Sequence, residues 1–183
     1  MERGYKRNAE ETRVRLLAAA QAAFAQQGYS STGIREIAAR AGVNSALLAR
    51  YFGSKAALFE AALVQSINLA GLTAAPRGVF GQALADHLLE EPAGPRGLAF
   101  AVATNDLSSA QIVARVTEQH AIEPLAAWLG APDARARALR IVMLASAVCL
   151  LARQRTLMQG KAADLTGTRD WFARTVQDVV DQQ

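Results

Sequence analysis

Thr32, Arg35, Asn44, Ser45, Arg50, Tyr51 and Lys55 set hydroxyls, an amide and cations at close intervals, with Ala46 offering a methyl among them. Donors of this kind suit a surface of phosphate oxygens and base edges, where hydroxyls and cations hold the backbone and a forked guanidinium reads guanine. Residues suited to bond-making chemistry are not arranged for it. His87 and His120 lie on different predicted helices, and no His-x-x-x-His or Cys-x-x-Cys spacing occurs. The single cysteine, Cys149, falls in the most apolar stretch, where a thiol is an inert core group. The sequence therefore implies a binding protein with no cofactor, and not an enzyme.

These donors must be positioned by short helices. Ile34, Ile37, Ala38 and Ala41 recur at i, i+3, i+4 and i+7, one face of a helix. Gly42 supplies a tight turn with φ > 0, and Val43 plugs the angle that follows. Asn44 or Ser45 caps a second helix, whose inward residues are Leu48 and Phe52. Ser45, Ala46, Ala49 and Arg50 then point outward. Two short helices at a sharp angle make either an ordinary αα-hairpin or a helix-turn-helix, whose second helix enters a DNA major groove. The polar flanks, Thr32 before and Lys55 after, favour the second.

The stretch LLAAAQAAFAQQGYSSTGIREIAARAGVNSALLARYFGSKAALFEAAL resembles the N-terminal domain of the TetR family of bacterial transcription regulators. The pieces that carry the resemblance are Phe24, Gly28-Tyr29, Thr32, Ile34-Arg35-Glu36-Ile37-Ala38, Ala41-Gly42-Val43, Tyr51-Phe52 and Ser54-Lys55, unbroken in order over about residues 12–63. The resemblance implies that Thr32, Arg35, Asn44, Ser45, Ala46, Arg50, Tyr51 and Lys55 meet DNA, Thr32 also capping the first helix of the pair. It departs at Ala49, where family members often carry a phosphate-contacting aromatic, and at Leu47, which is larger than usual.

Charge follows the same division. Residues 1–56 hold nine Lys/Arg against four acids, a net of +5, and the remainder holds 11 against 12. A basic head on a near-neutral body is the footprint of a phosphate-binding module. Half the residues are apolar and β-branched types are sparse, which favours an all-α fold. We expect a three-helix DNA-binding head at residues 1–55, with residues 1–8 a disordered tail. A helical ligand-binding and dimerisation body is expected at 56–183, joined through a helix at about 55–70.

In the body, helices are expected at 79–90, 108–129 (interrupted by Pro124), 133–159 and 169–181, the last capped by Thr166 or Thr168, with a short helix from Pro95. The segment 141–152 is apolar nearly all round, so it must be covered on more than one side. The family resemblance makes about 133–159 and 168–181 a homodimer interface. It also implies a double-stranded DNA operator as partner and a cavity for a small-molecule effector. Polar candidates for that cavity are His87, Asn105, Gln111, His120 and Arg153. The polar N-terminus has no signal-peptide pattern and the run at 141–152 is too short to span a bilayer. A cytoplasmic protein without membrane attachment is expected. The implied function is a homodimeric repressor released from its operator by a small molecule, the alternative being a helical DNA-organising or protein-interaction module without an inducer.

Overall fold

The computed structural model describes residues 2–67, 69–89, 107–153 and 162–182, and among these every regular element is a helix. The head is built first. Helix α1 (Glu2–Ser31) is interrupted at Gly28, which takes φ 80° and ψ 171°. That break swings Tyr29 back onto Phe24, ring centroids 5.9 Å apart. The helix reaches back to Glu2 where a disordered tail is expected. Residues 2–8 hold one glycine and no proline, so a helix anchored by the core propagates into them.

Helices α2 (Ile34–Arg40), α3 (Ser45–Phe52) and α4 (Lys55–Ser66) close over α1. Leu16, Leu17, Ala20, Ala23 and Phe24 of α1 are buried with Ile37, Ala38, Ala41, Leu48, Leu58, Phe59, Ala62 and Leu63. Phe59 meets Phe24 edge-on at 5.1 Å and Tyr29 at 4.8 Å. The joining helix is shorter than expected. It ends at Ser66, whose hydroxyl bonds back to the Leu63 carbonyl, and Ile67 leaves helical geometry. The apolar stretch Lys55–Thr73 is long and apolar enough to cross a membrane by composition. Here it is broken at Ile67, and its α4 part supplies core residues of the head.

The body contains α5 (Ala70–Thr73), a 3₁₀ turn (Arg77–Val79), α6 (Phe80–Leu89), α7 (Leu107–Thr117), α8 (Glu123–Leu129), α9 (Ala134–Arg153) and α10 (Ala162–Asp181). Pro124 restarts the chain as its spacing predicts. Without an N–H it cannot bond the His120 carbonyl, and residues Glu118–Ile122 widen into a π turn between α7 and α8. Helix α10 starts earlier than expected, so Thr166 and Thr168 lie inside it and not at its cap. The short helix expected from Pro95 and the end of the 133–159 helix lie outside the described residues.

Helices α6 and α10 cross at close range. Gly81 is buried there, its N–H donating to Gln177 Oε1 at 3.0 Å. A Cβ on Gly81 would stand 2.1 Å from the Ala173 carbonyl oxygen, so only glycine permits this approach. Two arginines hold the helix ends beside it. Arg137, buried in α9, donates to the carbonyls of Val179 (3.0 Å), Val180 (2.5 Å), Pro132 (3.2 Å) and Gly130 (3.4 Å). Arg77 donates to Leu129 (2.8 Å) and Val180 (3.2 Å) and lies over the Trp128 ring. The last carbonyls of α8 and α10 lack partners within their helices and carry the negative end of the helix dipole, so cationic donors suit them.

Helix α7 connects the body to the head at two points on one face. Ser108 Oγ is 3.5 Å from Ser30 Oγ at the end of α1. Seven residues on, Arg115 forks onto the Glu60 carboxylate of α4 at 2.6 and 2.8 Å.

Candidate nucleic-acid interface

The α2–α3 pair turns as its residues dictate. Gly42 has φ 66°, and its N–H donates to the Ala39 carbonyl. Val43 is half-buried against the core, and Asn44 caps α3, its side-chain oxygen accepting from Ala46 N–H at 2.9 Å. Leu48 is buried and Phe52 is half-buried, with the Arg13 guanidinium 5.9 Å from the Phe52 ring. Ser54 caps α4 by accepting from Ala57 N–H at 3.1 Å, after Gly53 turns at φ 76°.

Seen from α3, the expected contact residues sort clearly. Arg35, Asn44, Ala46 and Arg50 are exposed, while Ser45, Tyr51 and Lys55 are partly covered. The neighbouring acid, Glu36, is taken by Arg40 at 2.8 Å and by Gln27 at 2.6 Å. Arg35 and Arg50 accordingly have no partner among the described residues and present uncompensated positive charge. Lys55 is occupied in this state: its Nζ donates to the Ser30 carbonyl at 3.2 Å and sits 4.7 Å from the Tyr29 ring centroid.

Thr32 departs from expectation. It does not cap α2, because Gly33 holds that position. Its side chain is buried and its hydroxyl donates inward to the Gly28 carbonyl at 2.6 Å, with the Ala23 carbonyl at 3.3 Å. The Gly28 break leaves that carbonyl needing a donor, and Thr32 supplies it. Ala49 is exposed beside Ala46, one turn on, and Leu47 is half-exposed. The i, i+3 spacing of the two alanines was the signal for this shared face.

The body candidates do not converge. His87, Gln111 and His120 are all exposed, on α6, α7 and the π turn. Asn105 and the Arg153 side chain lie outside the described residues. A cavity of about 460 Å³ between α1 and α4 is lined by Arg13, Leu17, Glu60 and Val64, among others. A cleft of about 630 Å³ is lined by Arg77, Leu129, Arg137 and Val180, among others. Neither contains one of the expected residues. Among the described residues, no group of three or more His, Cys, Asp or Glu forms a metal site.

Residues 16–62 match the model of the bacterial regulatory proteins of the tetR family. The transcriptional activator FasR of Mycolicibacterium smegmatis, a helix-turn-helix protein, is 39% identical over 66 residues. That alignment covers 36% of this chain and 30% of the relative, so the match spans under a third of the relative's length. In fold, a protein of Rhodococcus sp. assigned to the TetR family superposes with a TM-score of 0.71 at 18% identity, covering 94% of this chain and all of that one. NalD, the secondary repressor of the MexAB-OprM multidrug efflux pump in Pseudomonas aeruginosa, gives 0.63 at 22% identity, covering 93% and 97%. Both likenesses establish the all-helical fold, head and body together. The match to the tetR family thus lies in the head, residues 16–62, and the likeness of fold extends over the body.

Proposed function

We propose that the chain is a homodimeric, sequence-specific DNA-binding repressor, released from a palindromic operator by a small hydrophobic or amphipathic ligand, and acting in the cytoplasm. The observation that carries the DNA reading is the exposed arc of α3, flanked by Arg35 and Arg50, neither of them neutralised by a described acid. Arg35, Asn44, Ser45, Ala46, Arg50, Tyr51 and Lys55 are the proposed contacts. Lys55 exchanges the Ser30 carbonyl for a phosphate at the start of α4, where the helix dipole adds to its charge. Thr32 serves instead to fix the α1–α2 turn.

The dimer reading rests on the last two helices. Ile141, Val142, Ala145 and Cys149 face the core from α9, while Leu139, Met143 and Leu150 are 41%, 63% and 45% exposed, and Trp171 on α10 is 52% exposed. An apolar stripe of this kind on two adjacent helices fits a second copy of the same stripe. A palindromic operator would require the two α3 helices of the dimer one DNA turn apart, about 34–36 Å. A ligand that tilts α4 through α7 would break that spacing. The near-neutral body fits an effector that is not strongly charged.

Fluorescence anisotropy against the DNA upstream of the chain's own gene and against a scrambled duplex, at two salt concentrations, tests this reading. Tight, palindrome-selective binding that weakens with salt supports it. Equal, weak binding to both duplexes would favour a DNA-organising or protein-interaction module. FasR is an activator and NalD a repressor, so a promoter–reporter assay decides the sign of regulation.

A further inference from the structure

We propose that α3 reads C5-methyl groups of thymine in its operator, with Ala46 and Ala49 as the reading side chains. The inference rests on the DNA-binding reading above and specifies what the head recognises. The outward arc of α3 presents two methyl groups beside one guanidinium. Ala46, Ala49 and Arg50 are its exposed residues, and at 100° per residue they fall within an arc of about 100°. Leu47 borders that arc, half-exposed. Asn44 is committed in part to the helix end, its side-chain oxygen accepting from Ala46 N–H at 2.9 Å, and it lies outside α3 as the cap. Within α3, the Ser45 hydroxyl and the Arg50 guanidinium flank the two alanine methyls on the helical projection.

An apolar face entering a major groove finds one apolar partner among unmodified bases, the thymine methyl. The small size of alanine matters as much as its polarity. Two methyls add little bulk between the helix backbone and the base edges. Arg35 and Arg50 then anchor the helix on phosphates or a flanking guanine, and the alanines define the step between.

The test uses the full chain. Duplexes enriched from a random 30-base-pair pool are amplified with either dTTP or dUTP, and anisotropy is measured on both. Uracil keeps every hydrogen-bonding group of thymine and loses only the methyl. Affinity is expected to fall about two- to fourfold for each contacted methyl. Ala46→Gly and Ala49→Gly should each narrow the dT/dU ratio, with helix content checked by circular dichroism. Equal affinity for the dT and dU forms of a duplex still preferred over its scrambled version would overturn methyl reading and leave the DNA-binding head intact. Enrichment of no duplex at all would overturn both.

Discussion

The carboxylate of Glu60 in α4 receives both arms of the Arg115 guanidinium from α7, at 2.6 and 2.8 Å. This is a bidentate ion pair between the helix that follows the DNA-reading motif and a helix of the body. Its hydrogen bonds hold the Glu60 pKa below the ordinary 4.5; partial burial opposes this, and the charges of Arg115 and His120 reinforce it. The Arg115 pKa is raised in turn by the same pair.

A carboxylate with a depressed folded-state pKa contributes stability that is present above its unfolded value and lost as pH falls through the folded one. The stability difference between the wild type and Arg115→Gln should therefore be present at neutral pH and close as pH drops through the Glu60 transition. The effect will be small, because both side chains are partly solvent-exposed. In the variant, NMR titration should find Glu60 nearer 4.5. An unchanged Glu60 midpoint would show that the fork does not persist in solution.

Arg137 is a stability residue with no acidic partner among the described residues: its side chain is buried and bonds backbone carbonyls. Arg137→Met fills similar volume but leaves the carbonyls of Val179 and Val180 without these donors. We expect a loss of about 3 kcal/mol in urea unfolding, since hydrogen bonds from a charged donor contribute about 1.5–3 kcal/mol each and some carbonyls regain water. Arg137→Lys should recover little, because one ammonium cannot span the ends of two helices. By contrast, Arg135→Ala removes an exposed pair with Glu118 and should change stability by less than about 0.5 kcal/mol.

At Gly81 two effects oppose each other. Alanine is favoured over glycine inside a helix by about 1 kcal/mol. The new Cβ, however, would lie 2.1 Å from the backbone oxygen of Ala173, and overpacking a fixed crossing costs about 1–3 kcal/mol. The clash should win, and Gly81→Ala should lower the melting temperature. Gly71→Ala, with no neighbour within 4 Å, should be neutral or slightly stabilising.

The head was legible because its signals are local. The spacing of Ile34, Ile37 and Ala38, the turn at Gly42 and the caps at Asn44 and Ser54 depend on residues within a few positions of one another. Thr32 was misread for the same reason. A threonine before a helix is locally a cap, and only the Gly28 break, which brings carbonyls of α1 within its reach, turns the hydroxyl inward. Arg137 was beyond local reading: it stands 42 and 43 positions from the carbonyls of Val179 and Val180. In sequence it was one of several arginines opening an apolar helix. His87 and His120 drew attention as rare types, yet both face solvent, which a pattern of spacing on isolated helices could not distinguish.

The exposed stripe on α9 and α10 leads to a prediction about assembly. Met143 is its most exposed member and is absent from the buried core. Met143→Glu would place like charges against each other across a two-fold interface while leaving the protomer core intact. Sedimentation equilibrium should find the wild type dimeric and the variant shifted toward monomer, with unchanged helix content. A monomeric wild type at micromolar concentration would remove the dimer from the proposed function.

The head cations should differ in what they read. Lys55 is the proposed phosphate contact, so Lys55→Ala should weaken binding to every duplex and lower the salt slope by about one. Part of the loss will come from freeing the α1–α4 junction, where Lys55 also holds the Ser30 carbonyl and the Tyr29 ring. The salt slope separates the two, because a loosened junction lowers affinity without removing a counterion from the count. Arg35→Ala and Ser45→Ala should instead relax preference at particular base pairs, by about 1–3 kcal/mol for a guanine read by the Arg35 fork. If all three variants keep both affinity and preference while remaining folded, the DNA-facing side of the head has been placed wrongly, and the basic face would then serve a different partner.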